Sequence, residues 1–338
     1  MRRLLLPSLA GVVLVLFTAF RLPLGTAAAG DGQPARELSV GDAVTLGLVE
    51  GITEYLPISS TGHLIIANHV LHLDSNTPLQ GSNGQGLWYK APSAKHPAGV
   101  ALTLKLAADT YSVVIQFGAI LAVGLLYWSQ LLGICRGLLG RDPAGFRLLR
   151  NLVVAFIPAA IVGLLLDHWI DEHLFSIAAV VAAQIGGSVL MFAAERWRKK
   201  HPALEGAAAL TPADLPAPRA LGIGLMQCLA LWPGTSRSMT TIVGGYFCGF
   251  APARAAEFSF LLGFVTLTAA TVYKGLQSGA AMVAVFGWPH VMLGIIVAAV
   301  AAAAAVRFLV TYLSRHGLML FVWYRLIVAG LLFALYFV

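Results

Sequence analysis

Apolar runs near or above the roughly 20 residues needed to cross about 30 Å of hydrocarbon recur along this chain. Such a chain folds as several membrane-crossing helices, because backbone inside hydrocarbon must satisfy its own hydrogen bonds. The runs are continuous, without the ten-residue alternation of a transmembrane barrel. Only 11% of the 338 residues are charged and 58% are hydrophobic, far from the balance of a soluble domain. The net charge of +7 does not call for nucleic acid, since Lys and Arg lie in short loops where topology explains them. Cys135, Cys228 and Cys248 are odd in number and irregularly spaced, so they read as small buried hydrophobes and receive no function.

Arg2 and Arg3 precede an apolar run to Phe20 and a small-residue stretch ending at Gly30, so residues 1–30 read as a signal peptide or an extra first transmembrane helix. A single membrane domain is expected over residues 39–338. Its first apolar unit, Ser39 to Leu71, is broken at Pro57-Ile58-Ser59-Ser60-Thr61-Gly62-His63, where proline removes a donor and hydroxyls favour helix caps. A polar insert at 74–99 has no clear periodicity and reads as a loop. Spans are expected near Tyr111–Trp128, Leu152–Leu166 and Phe175–Ala194. Arg136, Arg141, Arg147 and Arg150 mark one loop as cytoplasmic, Asp167 to His173 lies outside, and Arg196 to Lys200 returns to the cytoplasm.

The same pattern recurs from the other face. The unit Arg219 to Phe250 is broken at Trp232-Pro233-Gly234-Thr235-Ser236-Arg237-Ser238, and spans follow near Ala255–Tyr273, Val291–Phe308 and Leu318–Phe337. The expected fold is therefore an all-α polytopic membrane protein built as an inverted repeat, with halves at 39–195 and 219–338. Each half holds one re-entrant broken-helix hairpin and three transmembrane helices, the plan in which two interrupted helices meet near the midplane.

Ionisable side chains at membrane depth are costly and point to function or to a structural ion pair. Glu50 and Glu54, four residues apart, share a helical face leading to the first break. They read as acid/base groups, as a lining of a polar cavity or as structural partners of Arg237. Ser59, Ser60 and Thr61 then open a new helix as caps or as nucleophile and phosphate ligands, with His63 within reach of Ser60. At the second break, Arg237 lies among Ser236, Ser238 and Thr241 at another helix start, where free N–H groups and a guanidinium suit a phosphate. Asp109, Gln116 and Arg325 read as supporting polar groups.

The segments Glu50-Gly-Ile-Thr-Glu-Tyr-Leu-Pro-Ile-Ser-Ser-Thr-Gly-His63 and Gln227-Cys-Leu-Ala-Leu-Trp-Pro-Gly-Thr-Ser-Arg-Ser238 closely resemble the two signature motifs of the bacterial undecaprenyl pyrophosphate phosphatase family, linked to bacitracin resistance. Similarity at Val114–Val123, Glu257–Leu262 and Tyr324–Val328 extends the resemblance over most of Ser39 to Val338. It implies hydrolysis of undecaprenyl diphosphate to undecaprenyl phosphate and inorganic phosphate in the bacterial inner membrane, recycling the lipid carrier for cell-wall synthesis. It implies Ser60 as nucleophile assisted by His63, with Glu50 and Glu54 as acid/base groups or holding a divalent cation, Mg2+ or Ca2+. Arg237, Ser236 and Thr241 would bind the diphosphate, with Ser59, Thr61 and Ser238 beside them. Thr235 and Met239 depart from the family pattern, as do the N-terminal segment and the insert. Attack by His63 or by water stays open, as does a homodimer. The expected partners are the polyprenyl diphosphate, reached from the outer, periplasmic face, and membrane lipids. The alternative reading is a polyprenyl-phosphate transporter or flippase on the same fold. The phosphatidic-acid-phosphatase superfamily fits less well, because Met239 to Gly244 holds no histidine.

Overall fold

The computed structural model describes residues 26–27, 33–34, 38–80, 85–92, 98–174, 176–201 and 210–337. The expected signal peptide or first helix thus lies outside the described residues, apart from Thr26–Ala27.

Ten helices carry the described chain: α1 (Val40–Thr53), α2 (Ser60–Val70), α3 (Leu104–Leu126), α4 (Trp128–Leu138), α5 (Pro143–Leu174), α6 (Ile177–Lys200), α7 (Ala217–Cys228), α8 (Arg237–Phe247), α9 (Pro252–His316) and α10 (Met319–Phe337). Five are long and apolar enough to cross a membrane: α3, α5 over Pro143–Leu166, α6, α9 and α10. A multi-pass α-helical membrane protein follows from length and composition.

The helix α9 joins two expected spans across one non-helical residue, Gly287 (φ 71°, ψ 152°). Its hydrogen bonds to α3 give the direction of each part. Thr271 donates to the Val113 carbonyl, and Gly124 faces Phe264, so the first part runs antiparallel to α3. Tyr111 donates to the His290 carbonyl, and Gly118 lies against Ile295 and Ala299, so the second part runs parallel to it. The chain therefore reverses between the two parts, as two successive spans require. A positive φ costs glycine almost nothing, which is why the break falls at Gly287.

Three expectations change in detail. The segment Asp167–His173, expected as a loop, continues α5 as helix to Leu174. Residues 128–138, expected within a cytoplasmic loop, form α4, which packs closely on the start of α5 where Gly145 meets the Gly133 carbonyl. The insert is not a plain loop. Strands β1 (Thr26–Ala27), β2 (Gln33–Pro34), β3 (Leu79–Gln80), β4 (Gly86–Lys90) and β5 (Val100–Ala101) form a small sheet in the order β1-β4-β3-β2, with β5 also on β4. Strands of two to five residues are too short to show a period of two. Leu79, Leu87, Tyr89 and Leu102 seat this sheet on α9 near Met282, Phe286 and Trp288.

The main core runs from Tyr55 and Ile58, through Phe117 and Ile120 of α3, to Met239 and Ile242 of α8 and Phe258, Phe260 and Leu262 of α9. Both broken segments lie inside it, which is where irregular backbone is tolerated in a membrane protein.

Candidate functional site

Each break is a helix stopped short and restarted by a serine in an unusual backbone conformation. Ser39 caps α1 in a capping box with Asp42, and α1 ends at Thr53, ahead of Pro57. Ser59 then takes φ 71° and ψ 103°, and α2 begins at Ser60. In the second break a turn of 3-10 helix, Leu229–Leu231, follows α7. Ser236 takes φ 76° and ψ 114°, accepts the Met239 N–H on its Oγ at 3.3 Å, and α8 begins at Arg237. Among the described residues only Ser59, His72 and Ser236 combine a side chain with positive φ. Such conformations cost on the order of 1–3 kcal/mol each and persist where the surroundings impose them. One offset of 177 residues carries Val40 to Ala217, Ser59 to Ser236, Ser60 to Arg237 and Val70 to Phe247.

The two breaks touch. Ser238 Oγ donates to the Leu56 carbonyl at 2.7 Å, closing the second break onto the first. Glu54 is the hub. Its Oε2 accepts from Ser60 Oγ at 2.7 Å and from Gln116 Nε2 at 3.1 Å, and its Oε1 pairs with Arg237 Nη2 at 3.3 Å. Arg237 also donates from Nη1 to the Ser259 carbonyl at 3.0 Å, and its guanidinium lies over the Tyr55 ring at 5.3 Å. Thr241 Oγ1 bonds Ser259 Oγ at 2.6 Å and the Arg237 carbonyl at 2.8 Å. Ser236 and Ser238 share a hydroxyl contact at 3.1 Å. The pairing of Glu54 with Arg237 that the spacing left open is thus made, and the same carboxylate also holds the Ser60 hydroxyl. A carboxylate bonded to a hydroxyl through one oxygen and to a guanidinium through the other is the kind of arrangement that phosphoryl transfer can use.

Glu50, one turn before Glu54, is wholly buried. Neither of its oxygens makes a hydrogen bond of good geometry among the described residues, although Gln116 and Glu54 adjoin it. Thr61 lies half-buried in the first turn of α2 without a side-chain hydrogen bond there. His63 projects from the same turn. Its hydrogen bonds go to the Ser59 carbonyl through Nδ1 (2.8 Å) and to Tyr324 OH through Nε2 (2.8 Å), and not to Ser60.

Gln116 and Arg325, read from the sequence as supporting polar groups, do hold this arrangement, and Gln184 and Ser259, which the sequence did not single out, join them. Gln116 and Ser259 bear on Glu54 and Arg237 from α3 and α9. Gln184 of α6 donates to the Ile58 carbonyl at 3.3 Å. Arg325 of α10, wholly buried, donates to the carbonyls of Gly234, Thr235, Ala183 and Gln184. A cation inside an apolar span was the available signal for Arg325; lone hydroxyls and amides carry none. Gly263 leaves room for Arg237, since a Cβ there would meet the guanidinium carbon at 2.6 Å. Gly263→Ala is expected to raise KM for a diphosphate lipid about tenfold by displacing the guanidinium, as read from initial rates over a substrate series.

Residues 43–331 match the family model described as Bacitracin resistance protein BacA. The chain belongs to this family. It is 42% identical over 291 residues to an undecaprenyl-diphosphatase of Sorangium cellulosum, covering 86% of this chain and 84% of that protein. It is 41% identical to undecaprenyl-diphosphatase 2 of Rhodospirillum rubrum, over 84% of this chain and 90% of that one. With an undecaprenyl-diphosphatase of Clostridium tetani the identity is 32%, over 87% and 95%. The matched region takes in both breaks and all ten helices except the first residues of α1 and the last of α10.

Proposed function

We infer that this chain hydrolyses undecaprenyl diphosphate to undecaprenyl phosphate and inorganic phosphate. The observation that carries the chemistry is the Glu54 carboxylate, which binds the Ser60 hydroxyl from one break and the Arg237 guanidinium from the other. In the proposed reaction the Ser60 proton passes to Glu54, the Ser60 Oγ bonds the terminal phosphorus, and the bond from that phosphorus to the bridging oxygen breaks. Undecaprenyl phosphate leaves, and water then releases phosphate from the phosphoserine. Arg237 turns from Glu54 toward the phosphoryl oxygens, and the N-terminal N–H groups of α2 and α8 supply further donors. Ser236, Ser238 and Thr241 keep the start of α8 in place, with Ser59 and Thr61 at the start of α2.

A divalent cation fits this donor set. Among the described residues no group of three or more His, Cys, Asp or Glu side chains is placed to hold a metal. Mg2+ is commonly held by one or two carboxylates together with substrate phosphates, so a dedicated protein cage is not needed. Glu50, buried with both oxygens free of good hydrogen bonds, and Glu54 would hold it. A bound Mg2+ or Ca2+ would neutralise charge on the diphosphate. Phosphate release from undecaprenyl diphosphate by purified protein is therefore expected to stop on chelation with EDTA and to return on adding Mg2+ or Ca2+. Release that is indifferent to EDTA would remove the cation from the mechanism, and no release by folded protein would sink the hydrolase reading.

The 177-residue offset between the two helix–break–helix units supports a repeat, and the loop charges support its inversion, with the hairpins entering from opposite faces. In this reading the protein lies in the bacterial inner membrane, and the loop charges support a site reached from the outer face. A transporter of polyprenyl phosphates would share this plan, but it has no use for a serine hydroxyl bonded to a buried carboxylate.

A further inference from the structure

The side chain of His63 is held on both nitrogens, and its Nδ1 partner fixes where one proton sits. The Ser59 carbonyl can only accept, so Nδ1 carries a proton directed at it over 2.8 Å. That carbonyl belongs to the serine held at φ 71°, so the backbone conformation of the break aims the acceptor. The Tyr324 hydroxyl lies 2.8 Å from Nε2, and the two rings are parallel to within 6° with centroids 5.5 Å apart. When the ring is neutral with its proton on Nδ1, Nε2 accepts and the Tyr324 hydroxyl donates to it.

We propose that Tyr324 is a positioning residue that locks His63 as the neutral, Nδ1-protonated imidazole beside Ser60. It lies 261 residues from His63 in sequence and on another helix, so α10 is coupled to the first break by this hydrogen bond. Tyr324 is also partly exposed on the outer side of α10, among Trp323, Ile327 and Leu331, so its ring can be changed without opening the core. Only its kinetic consequence rests on the hydrolase reading above; the tautomer does not.

The test is Tyr324→Phe in the full-length protein, labelled with 15N-histidine and purified in detergent, with His63→Gln used to identify the His63 signals. Wild-type protein is expected to show a protonated Nδ1 and an unprotonated, hydrogen-bonded Nε2, and the Nε2 signal is expected to shift in Tyr324→Phe. The same variant is expected to lose roughly tenfold in kcat for phosphate release while KM stays within about twofold, because His63 holds the carbonyl of Ser59, the residue that sets the position of Ser60 at the start of α2. A His63 spectrum unchanged by Tyr324→Phe would overturn the proposal, and so would a shifted spectrum with unchanged kcat. If wild-type protein shows the expected tautomer and its shift but releases no phosphate, the lock stands and the hydrolase reading falls.

Discussion

Ser60→Ala is expected to lower phosphate release from undecaprenyl diphosphate by at least about 10^3-fold while the protein stays folded. The hydroxyl makes one side-chain hydrogen bond, to Glu54 Oε2 at 2.7 Å, and begins α2 without capping it, since the preceding Ser59 holds the cap position. Its loss removes little packing and leaves Glu54 with Gln116 and Arg237 as partners. Stability therefore changes little, and a loss of rate reports the loss of a reacting atom. The measurement is single-turnover phosphate release beside the melting curve of the same preparation. A variant within tenfold of wild type would mean that His63 or water attacks, with Ser60 only a ligand of the phosphoryl group.

The second large effect is expected at Arg325. Its donors go to four carbonyls, and two of these, Gly234 and Thr235, lie in the second break outside regular helix. Arg325→Met leaves both unsatisfied in the core, a cost of roughly 1–3 kcal/mol each. The break that presents Ser236 and Arg237 then loses its fixed shape. Arg325→Met is expected to lower the melting temperature in detergent by several degrees and phosphate release by about 10^2-fold. Arg325→Lys is expected to recover little, because a compact ammonium cannot reproduce a planar fork that reaches carbonyls on two segments. Gly187 tightens the constraint, since a Cβ there would overlap the guanidinium. If Arg325→Lys matches wild type in both stability and turnover, the fork geometry is irrelevant.

Much of this arrangement is legible in the chain because hydrocarbon is an unforgiving solvent. Glu50, Glu54 and Arg237 stand out as charges in apolar units, and Pro57 and Pro233 mark where regular helix must stop. The paired helix–break–helix units and the spans follow from the same contrast. What escaped reading depends on distance and not on pattern. Spacing puts His63 on the same turn as Ser60, yet their hydrogen bonds go to Tyr324 and Glu54, which lie on other elements. Gln116, Gln184 and Ser259 are polar residues common in membrane helices, and only the packing of α3, α6 and α9 shows which carbonyl or carboxylate each one meets. The helical continuation past Leu166 failed to show because acidic residues there resemble a loop, whereas the helix extends to Leu174 with a polar end.

Arg325 is solvated without being neutralised. Carbonyl dipoles surround its guanidinium, but among the ion pairs of the described residues no carboxylate pairs with it. Dipoles stabilise a charge locally and leave its net value intact, so at longer range Arg325 still acts as a full positive charge in a medium that screens poorly. The wall behind Ser236 and Arg237 therefore holds a positive charge before any ligand arrives, one that would draw an anionic headgroup toward the second break.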